Sequence, residues 1–173
     1  FFAQPVMDSL VERTQSPCNL AMLDKDEIIS VLRASTIHSP GAPTPLNVGR
    51  RFPAYVTSMG RALLGALPPE ELDVYLARAE IQKFTDKTVT DKAKLKKIIR
   101  DDSVKGWSFV TSEQADWVAS IGVVIRNAAG AAIAALGMGW MAGNVPDQVM
   151  IGKLLPQMQD AARQIEESIR QKR

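Results

Sequence analysis

The sequence predicts an α+β fold built on a mostly antiparallel sheet. Three observations carry this. Apolar runs 18–23 and 27–34 are separated by the polar turn Asp24-Lys25-Asp26, and runs 119–126 and 131–140 by Asn127-Ala128-Ala129-Gly130, so each pair reads as a hairpin. Between and around the hairpins lie segments whose apolar residues recur at helical spacing. With 173 residues, the chain suits one domain, 1–173, with a real core rather than two small ones.

The elements follow in order. Gln4 to Thr14 reads as a helix, with Pro5 at its start, Val6, Leu10 and Met7 inward, and Ser16-Pro17 as its stop. Cys18–Leu23 and Glu27–Ala34 form the first hairpin. Ser35 to Pro45 contains Pro40, Gly41, Pro43 and Pro45 and reads as a loop. Pro53 to Leu67 reads as a helix begun by proline, with Val56, Met59, Leu63, Leu64 and Leu67 on one face. Gly60 and Gly65 interrupt it at about 1 kcal/mol each relative to alanine, a cost that close approach of another backbone or a ligand would offset. Pro68-Pro69-Glu70-Glu71 opens a helix through Arg78, its glutamates near the positive end of the dipole. After a threonine-rich connection, 84–89, Thr90 is placed to cap a helix from Asp91 to Lys105, which Gly106 ends. Trp107–Thr111 is a strand, Ser112–Trp117 a polar loop, and Ala119–Arg126 with Ala131–Trp140 the second hairpin. The last segment is helical, with Leu154, Leu155, Met158, Ala162, Ile165 and Ile169 on one face and Pro156 predicting a kink or a break.

Composition excludes several classes of function. The 21 basic and 19 acidic residues leave a net charge of +2, not the footprint of a module that grips a phosphate backbone. The single cysteine, Cys18, permits no internal disulfide. With His38 as the lone histidine, the composition argues against a metal site of Cys and His ligands, and no cofactor is expected. No run approaches the ~20 apolar residues that span a bilayer, and no secretory signal is visible, so a reducing cytoplasm is the simplest setting. The start at Phe1-Phe2-Ala3 without an initiator methionine raises the expectation of a piece of a longer protein. There is no phosphate-cradling loop, nucleophile elbow or metal spacing. His38 reads as an exposed loop residue, Cys18 as a small buried hydrophobe, and the pairs Glu70-Glu71 and Asp101-Asp102 as solvated helix surface. Nothing argues positively for an enzyme.

A pocket is the better candidate. If the turn is Asn127 to Gly130, Arg126 faces Ala131 and Ser120 faces Gly137. Alternation then puts Ser120, Gly122, Ala135, Gly137 and Gly139 on one face, and Ile121, Val123, Ile125, Ala134, Leu136 and Met138 on the other. The first face is built of very small side chains and leaves room above it. Either a small ligand or a closely packed helix, such as the one bearing Gly60, fits that room. Trp107, Phe109 and Trp117 surround the loop leading into this hairpin, where aromatic rings can cap an organic molecule or serve as ordinary core. Arg50, Arg51 and Arg61 bracket the glycine-bearing helix, where they can attract a carboxylate or simply lie exposed.

The stretch Leu46-Asn47-Val48-Gly49-Arg50-Arg51-Phe52-Pro53-Ala54-Tyr55-Val56-Thr57-Ser58-Met59-Gly60-Arg61-Ala62-Leu63-Leu64 resembles the signature of the effector-binding domain of IclR-type bacterial transcription regulators. Weaker matches fall in the right order: Pro5-Val6 to Leu10, Asn19 to Asp24, Thr85 to Asp91, Gly106-Trp107, Glu113, Ser120-Ile121 and Ala134 to Leu136. The resemblance covers essentially the whole chain, and it looks closest to the branch controlling breakdown of aromatic acids. It implies a GAF-like (profilin-like) domain, with helices around an antiparallel sheet. It also implies a homodimer or homotetramer, a small-molecule effector, and contact with DNA only through an absent N-terminal winged helix-turn-helix. Carried over residue by residue, it places the effector at Ser58, Met59, Val110, Val118, Ser120, Gly137 and Gly139, with Trp117 beside the mouth. Family members commonly carry an acidic residue near Val110, a glutamate and a glycine near Ala115 and Trp117, a proline near Val124, and serines at Gly137 and Gly139. Loss of those hydroxyls predicts an effector less polar than a small keto acid, with aromatic acids a candidate class. The competing expectation is an assembly module whose pocket has lost its ligand.

Overall fold

A computed structural model describes residues 2–36 and 47–172. The expected readings of His38 and of the loop between 37 and 46 lie outside the described residues. Six strands form one antiparallel sheet in the order β3-β2-β1-β6-β5-β4: β1 (Cys18–Asp24), β2 (Glu27–Ala34), β3 (Arg51–Pro53), β4 (Trp107–Thr111), β5 (Val118–Arg126) and β6 (Ala132–Met141). The helices are α1 (Ala3–Thr14), α2 (Ser58–Gly65), α3 (Pro69–Arg78), α4 (Lys92–Lys105) and α5 (Asp147–Gln171). This is the α+β, GAF-like architecture expected from the sequence.

Each face of the sheet carries its own core. On one, α1 and α5 pack Met7, Leu10, Leu154, Met158 and Ile165 onto Ile121, Val123, Ile125, Leu136 and Met138. On the other, α2, α3 and α4 bury Leu63, Leu64, Leu72, Tyr75, Leu95 and Ile99 over Ala21, Ile28 and Ala135. The strand alternation read from the sequence is therefore correct. The pairing is not: Ser120 faces Gly139 and Gly122 faces Gly137. The turn is one cause. Asn127 Oδ1 accepts from the N–H groups of Ala129 and Ala131, both at 3.0 Å, and the register shifts between Ile125 and Arg126. The bulge and longer turn displace the pairing by an even step, so every side chain keeps its face.

The glycine-bearing helix is shorter than expected. Pro53 ends β3, a 3-10 turn occupies Ala54–Val56, and α2 starts only at Ser58. Thr57 is the cap: its hydroxyl accepts the Gly60 N–H at 3.0 Å. A proline's fixed φ suits a strand end as well as a first helical turn, which is why Pro53 misleads. The two glycines serve close approach. A Cβ on Gly60 would lie 2.1 Å from the Ala54 carbonyl oxygen, and one on Gly65 3.0 Å from that of Ile99 on α4. Two smaller corrections concern the later helices. Asp91, not Thr90, caps α4, accepting the Lys94 N–H at 2.8 Å, which leaves Asp91 in the non-helical cap geometry. The helix α5 runs unbroken through Pro156, held on both sides by buried Leu154 and Met158.

Candidate functional site

The first turn of α2 lies directly on the small-residue face. A Cβ on Gly122 would fall 2.5 Å from the Ser58 carbonyl, so this glycine admits the helix backbone. Directly across from Gly122 on β6, the Met59 side chain covers Gly137. Of the two occupants weighed from the sequence, the helix fills part of the face, and a cavity remains beside it. That cavity holds about 70 Å3 and lies between α2, β1, β5, β6 and the loop before β5.

Ser58, Met59, Val118, Ser120, Gly137 and Gly139 line it. Ser58 and Ser120 hydroxyls share a hydrogen bond of 2.8 Å across its wall. The other two sequence candidates stand apart from the lining. Val110 is buried in β4 opposite Ser120. Trp117 is 52 % exposed at the end of the loop, where its carbonyl accepts the Ala142 N–H at 2.8 Å. The remaining aromatics also lie elsewhere. Phe109 stacks on Trp140 at 5.9 Å, within the core under α1 and α5, and Trp107 carries the Lys105 ammonium 4.4 Å above its ring.

Sequence reading missed Pro17, Asn19, Ile28, Phe52, Thr57, Gln114 and Met138 in the lining. Asn19 is the most informative. Its Oδ1 is buried without a hydrogen-bond partner among the described residues, and it sits opposite Gly137 across β1 and β6. A polar residue inside the apolar run 18–23 was the available signal. Phe52, Gln114 and Pro17 come from other elements and carried none.

The loop that closes one side is fixed by ion pairing. Of the two sequence readings of Arg61, a carboxylate partner or an exposed surface position, the exposed one fails: the residue is 1 % exposed. Its guanidinium donates to both carboxylate oxygens of Glu113, at 2.8 and 2.7 Å, and through Nε to the Tyr55 carbonyl at 2.8 Å. Glu113 also accepts the Val89 N–H at 2.9 Å, and its carbonyl accepts the Thr88 hydroxyl at 2.6 Å. The bidentate fork suits a buried pair, with the remaining polar atoms bonded as burial requires. Arg51 instead pairs with Asp24 and Glu27 near the surface, at 2.6 and 3.1 Å. Arg50 lies 5.0 Å over the Phe52 ring. Cys18 is fully buried, and desolvation pushes its thiol up to about 12, so it is a packing residue and not a nucleophile. Among the described residues, no group of His, Cys, Asp and Glu is gathered as a metal site. No helix there is long and apolar enough to cross a membrane.

Residues 2–167 match the family described as the bacterial transcriptional regulator IclR C-terminal domain. The chain belongs to the IclR family. Among curated relatives, the Pca regulon regulatory protein of Pseudomonas putida is 34 % identical over 163 residues, which is 94 % of this chain and 56 % of that protein. The chain thus spans little more than half of that relative. Two solved relatives share the fold. The inducer-binding domain of the Acinetobacter PobR transcription factor, a double mutant in complex with 3-hydroxybenzoic acid, is 26 % identical with a TM-score of 0.88, over 95 % of both chains. An IclR homologue from Microbacterium hydrocarbonoxydans in complex with 4-hydroxybenzoate is 25 % identical with a TM-score of 0.85, over 98 % of this chain and 67 % of that one. The curated relatives are transcription regulators.

Proposed function

We propose that this IclR domain senses a small aromatic monocarboxylic acid in the cavity beneath α2. Binding favours one arrangement of subunits in a homodimer or homotetramer, and an N-terminal DNA-binding domain of the parent protein converts that into operator affinity. The observation that carries the reading is the chemistry of the lining. Ile28, Phe52, Met59 and Val118 supply apolar walls, Gly137 and Gly139 a bare floor, and Ser58, Ser120, Asn19 and Gln114 a few polar groups. That is the usual make-up of a site for a small organic molecule. The capped first turn of α2 at its edge favours a carboxylate through the helix dipole. The lining carries no titratable side chain among the described residues, so it offers groups that hold a ligand rather than a general acid or base. The two relatives solved with hydroxybenzoic acids support the ligand class.

A ligand shifts a subunit equilibrium only through its differential affinity for the two states. The α2 segment is placed to supply one, since it borders the cavity at Ser58 and grips the loop at Glu113 through Arg61. Titration calorimetry with benzoate, 4-hydroxybenzoate and glyoxylate tests the reading, using the natural chain and Gly139→Leu. Binding of a ring acid that Gly139→Leu abolishes supports it. Binding that Gly139→Leu leaves unchanged contradicts the placement, and no binding at all contradicts the sensing role.

A second reading is favoured by one observation: Met59 and the α2 backbone already fill much of the face, leaving only about 70 Å3. On that reading the domain is a constitutive assembly module.

A further inference from the structure

The cavity is smaller than the ligand class proposed for it. Its 70 Å3 compares with the roughly 150 Å3 of a dry protein cavity that admits one benzene. The missing space is held by one side chain. Met59 lies flat on the sheet floor: a Cβ placed on Gly137 would be 2.6 Å from Met59 Sδ, 2.7 Å from its Cγ and 3.0 Å from its Cε. Each of these atoms is comparable in size with a water, whose share of liquid volume is roughly 30 Å3. Their departure would bring the cavity to the size that a benzene ring fills.

The α2 backbone wall is held firmly. Gly122 is pressed against the Ser58 backbone, and Ser58 is tied to Ser120 at 2.8 Å. Methionine is unbranched, turns about three bonds and makes favourable sulfur–ring contacts, so it is the wall suited both to leave and to receive a ring. Gly137 gives the side chain its resting place, which any Cβ there would deny.

We propose that the Met59 side chain is a displaceable plug that sets the size class of the effector. The ring of an aromatic monocarboxylate lifts Cγ, Sδ and Cε off Gly137 and packs against the thioether, whereas a two-carbon acid enters without moving it. This rests on the acid-sensing reading above. Because no Arg, Lys or His lines the cavity among the described residues, the ring carries a single carboxylate.

The test is methyl NMR on the chain labelled at methionine, with the Met59 signal assigned by its loss in Met59→Leu. Benzoate, 4-hydroxybenzoate and 1-naphthoate are the ring acids, and acetate is the control. A ring acid should shift the Ser120 and Gly139 amides and move the Met59 methyl upfield through its ring current, while acetate leaves that methyl in place. By calorimetry, Met59→Ala should improve 1-naphthoate relative to benzoate by about tenfold, the scale of removing a methylene-sized obstacle from an apolar pocket. If the Ser120 and Gly139 amides report a ring acid while the Met59 methyl stays, the plug is wrong and the sensing role stands. If none of the acids shifts those amides, in the natural chain or in Met59→Ala, the sensing role falls and the plug with it. Should Met59→Ala not fold, the methyl shift in the natural chain decides alone.

Discussion

At the scale of single residues, two glycines on the same face make opposite demands. A Cβ on Gly122 meets Ser58 backbone at 2.5 Å, whereas one on Gly137 meets the flexible end of Met59. Backbone cannot step aside, so Gly122→Ala should cost stability by ~1–3 kcal/mol, the usual scale of overpacking. Gly137→Ala should cost clearly less. Urea denaturation of the two variants side by side checks this, and equal losses would contradict the contact geometry. Asp102 supplies a pH-dependent counterpart. Burial raises its carboxyl above the ordinary value, against the opposing pull of Ser108 and Lys105. The folded state therefore holds the proton more tightly than the unfolded chain. The stability this confers is complete at low pH and is lost as pH rises from the ordinary carboxylate range through the raised value. Asp102→Asn should raise the denaturation midpoint at pH 8 relative to the natural chain, with a smaller difference at pH 4; a difference that grows at acid pH would contradict the sign. Asp102 reads as a solvated surface residue beside Asp101 in sequence, because nothing in a helical repeat shows that β4 will cover it.

The decisive element is the joint between α2 and the loop before β5. Arg61 and Glu113 are 52 positions apart and meet in a buried bidentate pair. Removing one partner leaves the other charge buried and unpaired, at a cost of about 3–5 kcal/mol. Glu113→Ala and Arg61→Ala should each approach that loss, and the double variant should lose less than the two losses added. Additive losses in a double-mutant cycle would mean that the pair does not couple the two elements. Local pattern made most elements legible. The periodicity of Val6, Met7 and Leu10 marks α1, and the paired apolar runs mark both hairpins. The α2 boundary is not legible in sequence because Pro53 satisfies two structures, while Thr57, the actual cap, is one threonine among several. The β5–β6 register slipped because the arrangement of Asn127 with Ala129 and Ala131 adds residues to the turn that a four-residue reading omits.

At the scale of the whole molecule, the sheet order decides what sequence could not. Bringing β1 beside β6 puts Asn19 opposite Gly137, and bringing β3 beside β2 puts Phe52 opposite Ile28. Those contacts join residues far apart in the chain, and no spacing rule announces them. The small-residue face was legible because it depends only on alternation within one hairpin. The ion-paired loop, the Asn19 carbonyl and the Met59 cover were not, because each is made by elements that meet only in the folded sheet. The division of the sheet into two separate cores also places the cavity on the α2 side, away from α1 and α5. Occupancy should therefore act first on α2 and the Glu113 loop.

The central question is whether this domain holds a small acid. The most direct measurement is thermal unfolding of the chain against a panel of aromatic and aliphatic monocarboxylic acids. A ligand present at a hundredfold excess over its dissociation constant adds about 2.7 kcal/mol to apparent stability. For a domain of this size that raises the midpoint by roughly 5–10 °C. A rise of that order is expected for at least one ring acid. A midpoint unmoved by every acid, with the protein folded, would contradict it and leave the domain a constitutive assembly module.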